Sequence, residues 1–151
     1  GAMLMAFIAL IALLNGLIGW IGSMFGVDGL TIQQILGYVF QPVAYIIGVP
    51  WAEAQYAGSF IGQKIIVNEF FAYIDFMNHK EQLSATTQAI ITFALCGFAN
   101  LSSIAILLGG IGGMAPKRRH DIAKLGLRAI LAATMANLMS AAIAGVFISL
   151  A

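Results

Sequence analysis

From Met3 to Phe25 the chain carries no charge, and Asn15 is its most polar member. A bilayer core about 30 Å thick is crossed by roughly 20 helical residues, so this run is long enough to span one. The rest of the chain agrees: 61% of residues are apolar, 9% are charged and the mean hydropathy is +0.96. Ordinary globular domains carry about 25% charged residues. A chain this poor in charge cannot clothe a water-exposed surface, and the sequence is read as an all-α integral membrane protein. The net charge of +1 comes with basic residues gathered in one short segment, which makes no groove for nucleic acid. A single cysteine, Cys96, excludes an internal disulfide and a multi-cysteine metal site; His79 and His120 lack ligand spacing, so no cofactor is expected. The chain opens Gly1-Ala2-Met3 inside an apolar run without a signal-peptide pattern. It is therefore read as a fragment, or as a chain with a cloning scar.

Five segments follow. Residues 3–25 form a transmembrane helix whose Gly16, Gly19 and Gly22 make a small-residue stripe suited to helix contact. Over 31–48, Ile32, Ile35, Leu36, Val39, Phe40, Val43, Ile46 and Ile47 share one helical face, opposite Gln33, Gln34, Gly37 and Gln41. Thr31 with Gln34 reads as a capping box, and Pro42 predicts a kink. This one-sided, uncharged stripe predicts a helix in the membrane interface. Residues 51–81 are apolar in pieces but hold Glu53, Lys64, Glu69, Asp75, His79, Lys80 and Glu81. Neither half is a clean span, which predicts a re-entrant hairpin with Asn68-Glu69 at its tip. Residues 84–114 have the length of a crossing, yet their middle, CGFANLSS, is rich in poor helix formers and predicts a broken helix. Residues 124–151 form the last span. Lys117, Arg118, Arg119, Lys124 and Arg128 surround one loop, which the positive-inside rule puts in the cytoplasm, with the C-terminus outside.

Two interrupted segments meeting at mid-depth offer free backbone groups, half-helix dipoles and side chains facing a cavity, the usual substrate site of secondary transporters. Glu69 is the residue most in need of explanation, because a charge at the bilayer centre costs about 2.5–3.5 kcal/mol on insertion scales. One reading is a carboxylate accepting hydrogen bonds from a polyhydroxylated substrate, with Asn100 and Ser103 adding donors and acceptors. The plainer one is a clamp between Glu69 and Lys64, although their spacing suits one helical face poorly. Lys64 is read as structural, reaching the carbonyls of an unwound helix or snorkelling. On pattern alone Phe98 and Cys96 pack, and Asp75 is either a cap or a second polar group near the hairpin's exit.

At these residues a resemblance becomes visible. GQKIIVNEFFAY, from Gly62 to Tyr73, resembles the signature of concentrative nucleoside transporters: Gly or Ala, any residue, Lys, three residues, Asn-Glu-Phe-Val-Ala and an aromatic. Gly62, Lys64, Asn68, Glu69, Phe70, Ala72 and Tyr73 match, and Phe71 stands where valine is usual. FALCGFANLSSIAILLGG (93–110) and the tail APKRRHDIAKLGLRAILAATMANLMSAAIAG are similar too. The resemblance covers essentially the whole chain.

It implies the C-terminal half of an inverted-repeat transporter of bacterial type: sixth membrane helix, interfacial helix, second re-entrant hairpin and two last helices, the earlier unwound. Glu69 is then expected to bind ribose hydroxyls, Asn100 and Ser103 to complete the ribose site with Asn68 beside them, and Phe98 to pack against the nucleoside. The resemblance also implies a homotrimer in the bacterial inner (plasma) membrane. Base-reading residues and the sodium site are expected in the N-terminal half of the same transporter. The expected function is nucleoside import by sodium or proton symport, with Glu69 a candidate for proton coupling. Three rivals remain: the same fold carrying another polar solute, a membrane scaffold subunit, and an intramembrane enzyme. The last is disfavoured because Ser103 has no histidine partner in the spans.

Overall fold

The structure is a computed structural model describing residues 2–150, with side chains from residue 9 onward. Gly1 and the last residue of the 124–151 span lie outside the described residues. The chain is helical throughout: α1 Ala2–Met24, α2 Ile32–Ile46, α3 Trp51–Ile66, α4 Glu69–His79, α5 Ala85–Leu95, α6 Leu101–Met114 and α7 Arg119–Ser149. Single 3-10 turns at Lys80–Gln82 and Pro116–Arg118 lead into α5 and α7.

The amide of Asn15 fixes how α1 returns to α2. Its Oδ1 accepts from Ile32 N at 2.8 Å and its Nδ2 donates to Gln33 Oε1 at 3.0 Å. The glycine stripe of α1 behaves differently from the expectation. A Cβ on Gly22 would stand 2.6 Å from Val27 O, so that glycine makes room for the returning loop, while Gly16 has nothing within 4 Å. Within this chain the stripe meets a loop and not another helix. Thr31 closes the foreseen capping box: its Oγ1 accepts from Gln34 N at 3.2 Å and Gln34 Oε1 accepts from Thr31 N at 3.3 Å.

The apolar stripe of α2 is divided between the core and the outside. Val39 is 61% and Ile46 is 81% exposed, whereas Gly37 and Ala44 are buried against α3. The contact is backbone to backbone, since a Cβ on Gly58 would lie 2.7 Å from Gln41 N and 2.8 Å from Gly37 O. Leu36 and Phe40 pack over Gly62 of α3 and Ile47 is buried, while Ile35, Val39 and Ile46 face outward. The chain then changes direction by 116° between α2 and α3.

α3 and α4 pack side by side, with Phe60 and Phe76 edge to face at 5.7 Å between ring centroids. The core gathers around Phe60, Ile61, Ile90, Ile91 and Leu95. α7 closes it at Gly145, where a Cβ would meet Ile90 Cδ1 at 2.8 Å. Its outward side carries Leu131, Met135, Met139 and Phe147, all strongly exposed. The stretch Pro116–Ser149 is long and apolar enough to cross a membrane. The expected crossing at 84–114 is two apolar helices separated by residues 96–100, so the break falls within CGFAN.

Candidate functional site

Two helices begin where the site lies. Asn68 caps α4 in extended backbone (φ −170°, ψ 168°), its Oδ1 accepting from Phe71 N at 2.9 Å. Asn100 caps α6 in the same way (φ −143°, ψ 164°), its Oδ1 accepting from Ser103 N at 2.9 Å. The first turn of a helix points free N–H groups and a partial positive charge outward. Glu69 opens α4 and sits in that field. Asn100 Nδ2 donates to Glu69 Oε2 at 2.6 Å, joining the two helix starts.

Around this pair the structure brings most of the expected residues together. Asn100 is 3% exposed. Its Oδ1 also accepts from Ser102 Oγ at 2.6 Å. Ser103 Oγ–H has two acceptors in reach, Phe98 O at 2.5 Å and Asn100 Oδ1 at 2.9 Å. Glu69 is half-buried and, among the described residues, its side chain has no bond besides the one from Asn100. That leaves carboxylate lone pairs free for a donor that is not part of the chain. Phe98 is 78% exposed within this chain. Asn68 has a task the sequence reading did not give it, because its side-chain oxygen is committed to the cap. A cavity of about 260 Å³ opens beside the break, lined by Phe98 and Ser103 and, on α7, by Ala133 and Asn137.

The clamp between Lys64 and Glu69 is not formed. Lys64 is 2% exposed, and its Nζ donates to Ala94 O at 2.7 Å. Among the described residues the ion pairs are His79 with Asp75 and Arg118 with Asp121. Asp75, left open by the sequence, ties the two arms: it accepts from Gln63 Nε2 at 2.6 Å and lies 3.2 Å from His79 Nδ1. Gln63 is fully buried and also donates to Ser59 Oγ at 2.8 Å. Tyr73 fastens α4 to α5 through Thr92 O at 3.0 Å. Neither Gln63 nor Asn137 was singled out beforehand. The available signal was an amide in an otherwise apolar stretch.

A carboxylate between two helix starts, beside an exposed aromatic ring at a break, is the architecture of a membrane transport site for a polar, hydrogen-bonding solute. Comparison with known proteins narrows the class. Residues 1–145 match the family described as Na+ dependent nucleoside transporter C-terminus. The chain is 62% identical over 148 residues to the uncharacterized transporter YutK of Bacillus subtilis, covering 98% of this chain and 37% of that one. It is 49% identical over 155 residues to the nucleoside permease NupC of Helicobacter pylori, covering 99% and 37%. The solved structure of CNTnw in an inward-facing substrate-bound state superposes with a TM-score of 0.96 at 58% identity, over 100% of this chain and 38% of the other. The chain belongs to the concentrative nucleoside transporter family, whose members are integral membrane transporters and not enzymes. It spans 37% of the length of those curated relatives.

Proposed function

We propose that this chain is the ribose-binding half of a secondary active transporter that imports nucleosides by cation symport. The observation that carries the reading is the 2.6 Å bond between Glu69 and Asn100 at the meeting of two helix starts. Glu69 accepts from ribose hydroxyls, Asn100 and Ser103 supply further polar contacts, and Phe98 packs against the nucleoside. Asn68 holds the start of α4 and has its amide nitrogen left for a ligand. In this arrangement the 3–25 part of α1 and the part of α7 from 124 onward cross the bilayer, and α2 (within 31–48) lies in the interface. α3 and α4 form the re-entrant hairpin of 51–81, and α5 with α6 form the broken span of 84–114. The loop at 115–124 lies in the cytoplasm of a bacterial inner membrane, with the C-terminus outside.

The complete transporter contains an N-terminal half that reads the base and holds the coupling cation, sodium or proton, and it assembles as a homotrimer. The energetic logic is that of charge desolvation. A carboxylate at membrane depth is costly unless its lone pairs are filled, and a ribose with adjacent hydroxyls fills them. The test is uptake of radiolabelled uridine by the complete transporter, with unlabelled adenosine, uridine and free ribose as competitors. Competition by nucleosides, and its loss in Glu69→Gln, is the expected result. Uptake that nucleosides fail to compete would point to another polar solute on the same fold, and no uptake at all to a scaffold.

A further inference from the structure

Breaking a helix leaves the last carbonyls of its first half without intrahelical partners, and each must be satisfied elsewhere. At the end of α5 the solution comes from two distant side chains. Lys64 Nζ, on α3, takes Ala94 O at 2.7 Å. Asn137, on α7, takes the next exposed carbonyl. With its amide oriented to match its neighbours, Nδ2 donates to Cys96 O at 3.0 Å and Oδ1 accepts from Lys64 Nζ at 2.7 Å. Gly97 lies against the same amide. Its φ of +123° and the 2.9 Å that would separate a Cβ from Asn137 Nδ2 and Oδ1 together leave room for no side chain.

These contacts gather along the backbone from Ala94 to Gly97, just before Phe98. The ammonium of Lys64 is buried, with neutral oxygens as its acceptors and no carboxylate within salt-bridge reach among the described residues. Burying an uncompensated charge is expensive, and an apolar side chain would pack at lower cost. A group placed there at such cost has something specific to hold. We propose that Lys64 and Asn137 are positioning residues of the transport site: together they fix the backbone from Ala94 to Gly97, and so aim Phe98, Asn100 and Ser103 at the ligand. Asn137 thereby brings α7 into ribose recognition without touching the ribose. The inference rests on the ribose reading given above.

The experiment uses the complete transporter, purified, with equilibrium binding of uridine and of its 2′-deoxy and 3′-deoxy analogues. Asn137→Leu and Lys64→Met are each expected to weaken uridine binding by at least about ten-fold, since small misplacements of a binding group are costly. They should also bring the uridine-to-deoxyuridine affinity ratio towards one. Asn137→Asp keeps an acceptor for the ammonium and loses the donor to Cys96 O, so it serves where the other variants fail to fold, and the same fall in hydroxyl discrimination is expected. Unchanged affinity and discrimination in a folded Asn137→Asp protein would overturn the proposal. Glu69→Gln separates the two levels. If it too leaves hydroxyl discrimination intact, the ribose reading falls and the proposal with it. If it abolishes discrimination while the Asn137 and Lys64 variants do not, the proposal alone falls.

Discussion

The two interruptions of the chain, at the α3–α4 turn and between α5 and α6, restart their helices identically and end them differently. Each restart is an asparagine in extended backbone bonded to the N–H three residues on, at 2.9 Å in both cases. The endings diverge. At the hairpin, Val67 N continues the helical pattern to Gln63 O at 2.8 Å, as Cys96 N closes on Phe93 O at 3.2 Å at the end of α5. At the broken helix the carbonyls of Ala94 and Cys96 depend on Lys64 and Asn137, drawn from elements far away in sequence. The hairpin is tied through side chains along its arms, Gln63 to Asp75 and Glu69 to Asn100, whereas the broken helix is held at the backbone carbonyls of the break itself.

The largest test of that contrast is Asn100→Ala against Asn68→Ala. Asn100 is buried, caps α6 and supplies the donor to Glu69, so its loss removes both functions together. Uptake efficiency is expected to fall by about 100-fold, with cap loss of about 1 kcal/mol added. Initial uridine uptake rates corrected for membrane expression measure the first, and thermal unfolding in detergent the second. Next in size is Gly97→Ala. A side chain at φ +123° is strained by about 1–3 kcal/mol, and here it would also displace the Asn137 amide. A lowered melting temperature together with weakened uridine binding is expected. A lowered melting temperature with binding intact would mean that the break's backbone can shift without disturbing the site.

How much of this was written in the sequence follows from the range over which each interaction acts. The capping box of Thr31 and Gln34, the break within CGFANLSS and an interruption at Asn68-Glu69 depend on residues a few positions apart, and they were readable. So was the grouping of Glu69, Asn100 and Ser103, because polar groups in apolar surroundings are costly enough to need partners. The choice of partner was readable in part. Lys64 is expected from the sequence to reach the carbonyls of an unwound helix or to snorkel, and it takes Ala94 O, thirty positions away, although nothing in GQKIIVNEFFAY says which carbonyl. The division of the apolar stripe of α2, with Leu36 and Phe40 over Gly62 and Val39 and Ile46 outward, was not readable, because periodicity records a stripe without saying which part is covered. Asn137, in ATMANLMSAA, carried the same signal as Asn15: an amide in an uncharged run whose hydrogen bonds must go somewhere.

The smallest effects come from the caps themselves, and there the comparison is sharpest. Asn68→Ala removes one bond to Phe71 N at a half-buried position and should cost about 1 kcal/mol. Thr31→Ala removes the corresponding bond from Gln34 N to Thr31 Oγ1 and should cost about 0.5 kcal/mol. The stability changes are similar, but their consequences for transport should differ. Asn68 holds the first turn of the helix that presents Glu69, while Thr31 starts α2, which contributes no residue to the site. Uptake in Asn68→Ala is therefore expected to fall several-fold more than its thermal shift alone would produce, and uptake in Thr31→Ala to stay near the parent level. Equal losses in the two variants would mean that the hairpin cap serves stability only, and that Glu69 is placed by its bond to Asn100 without help from the start of its own helix.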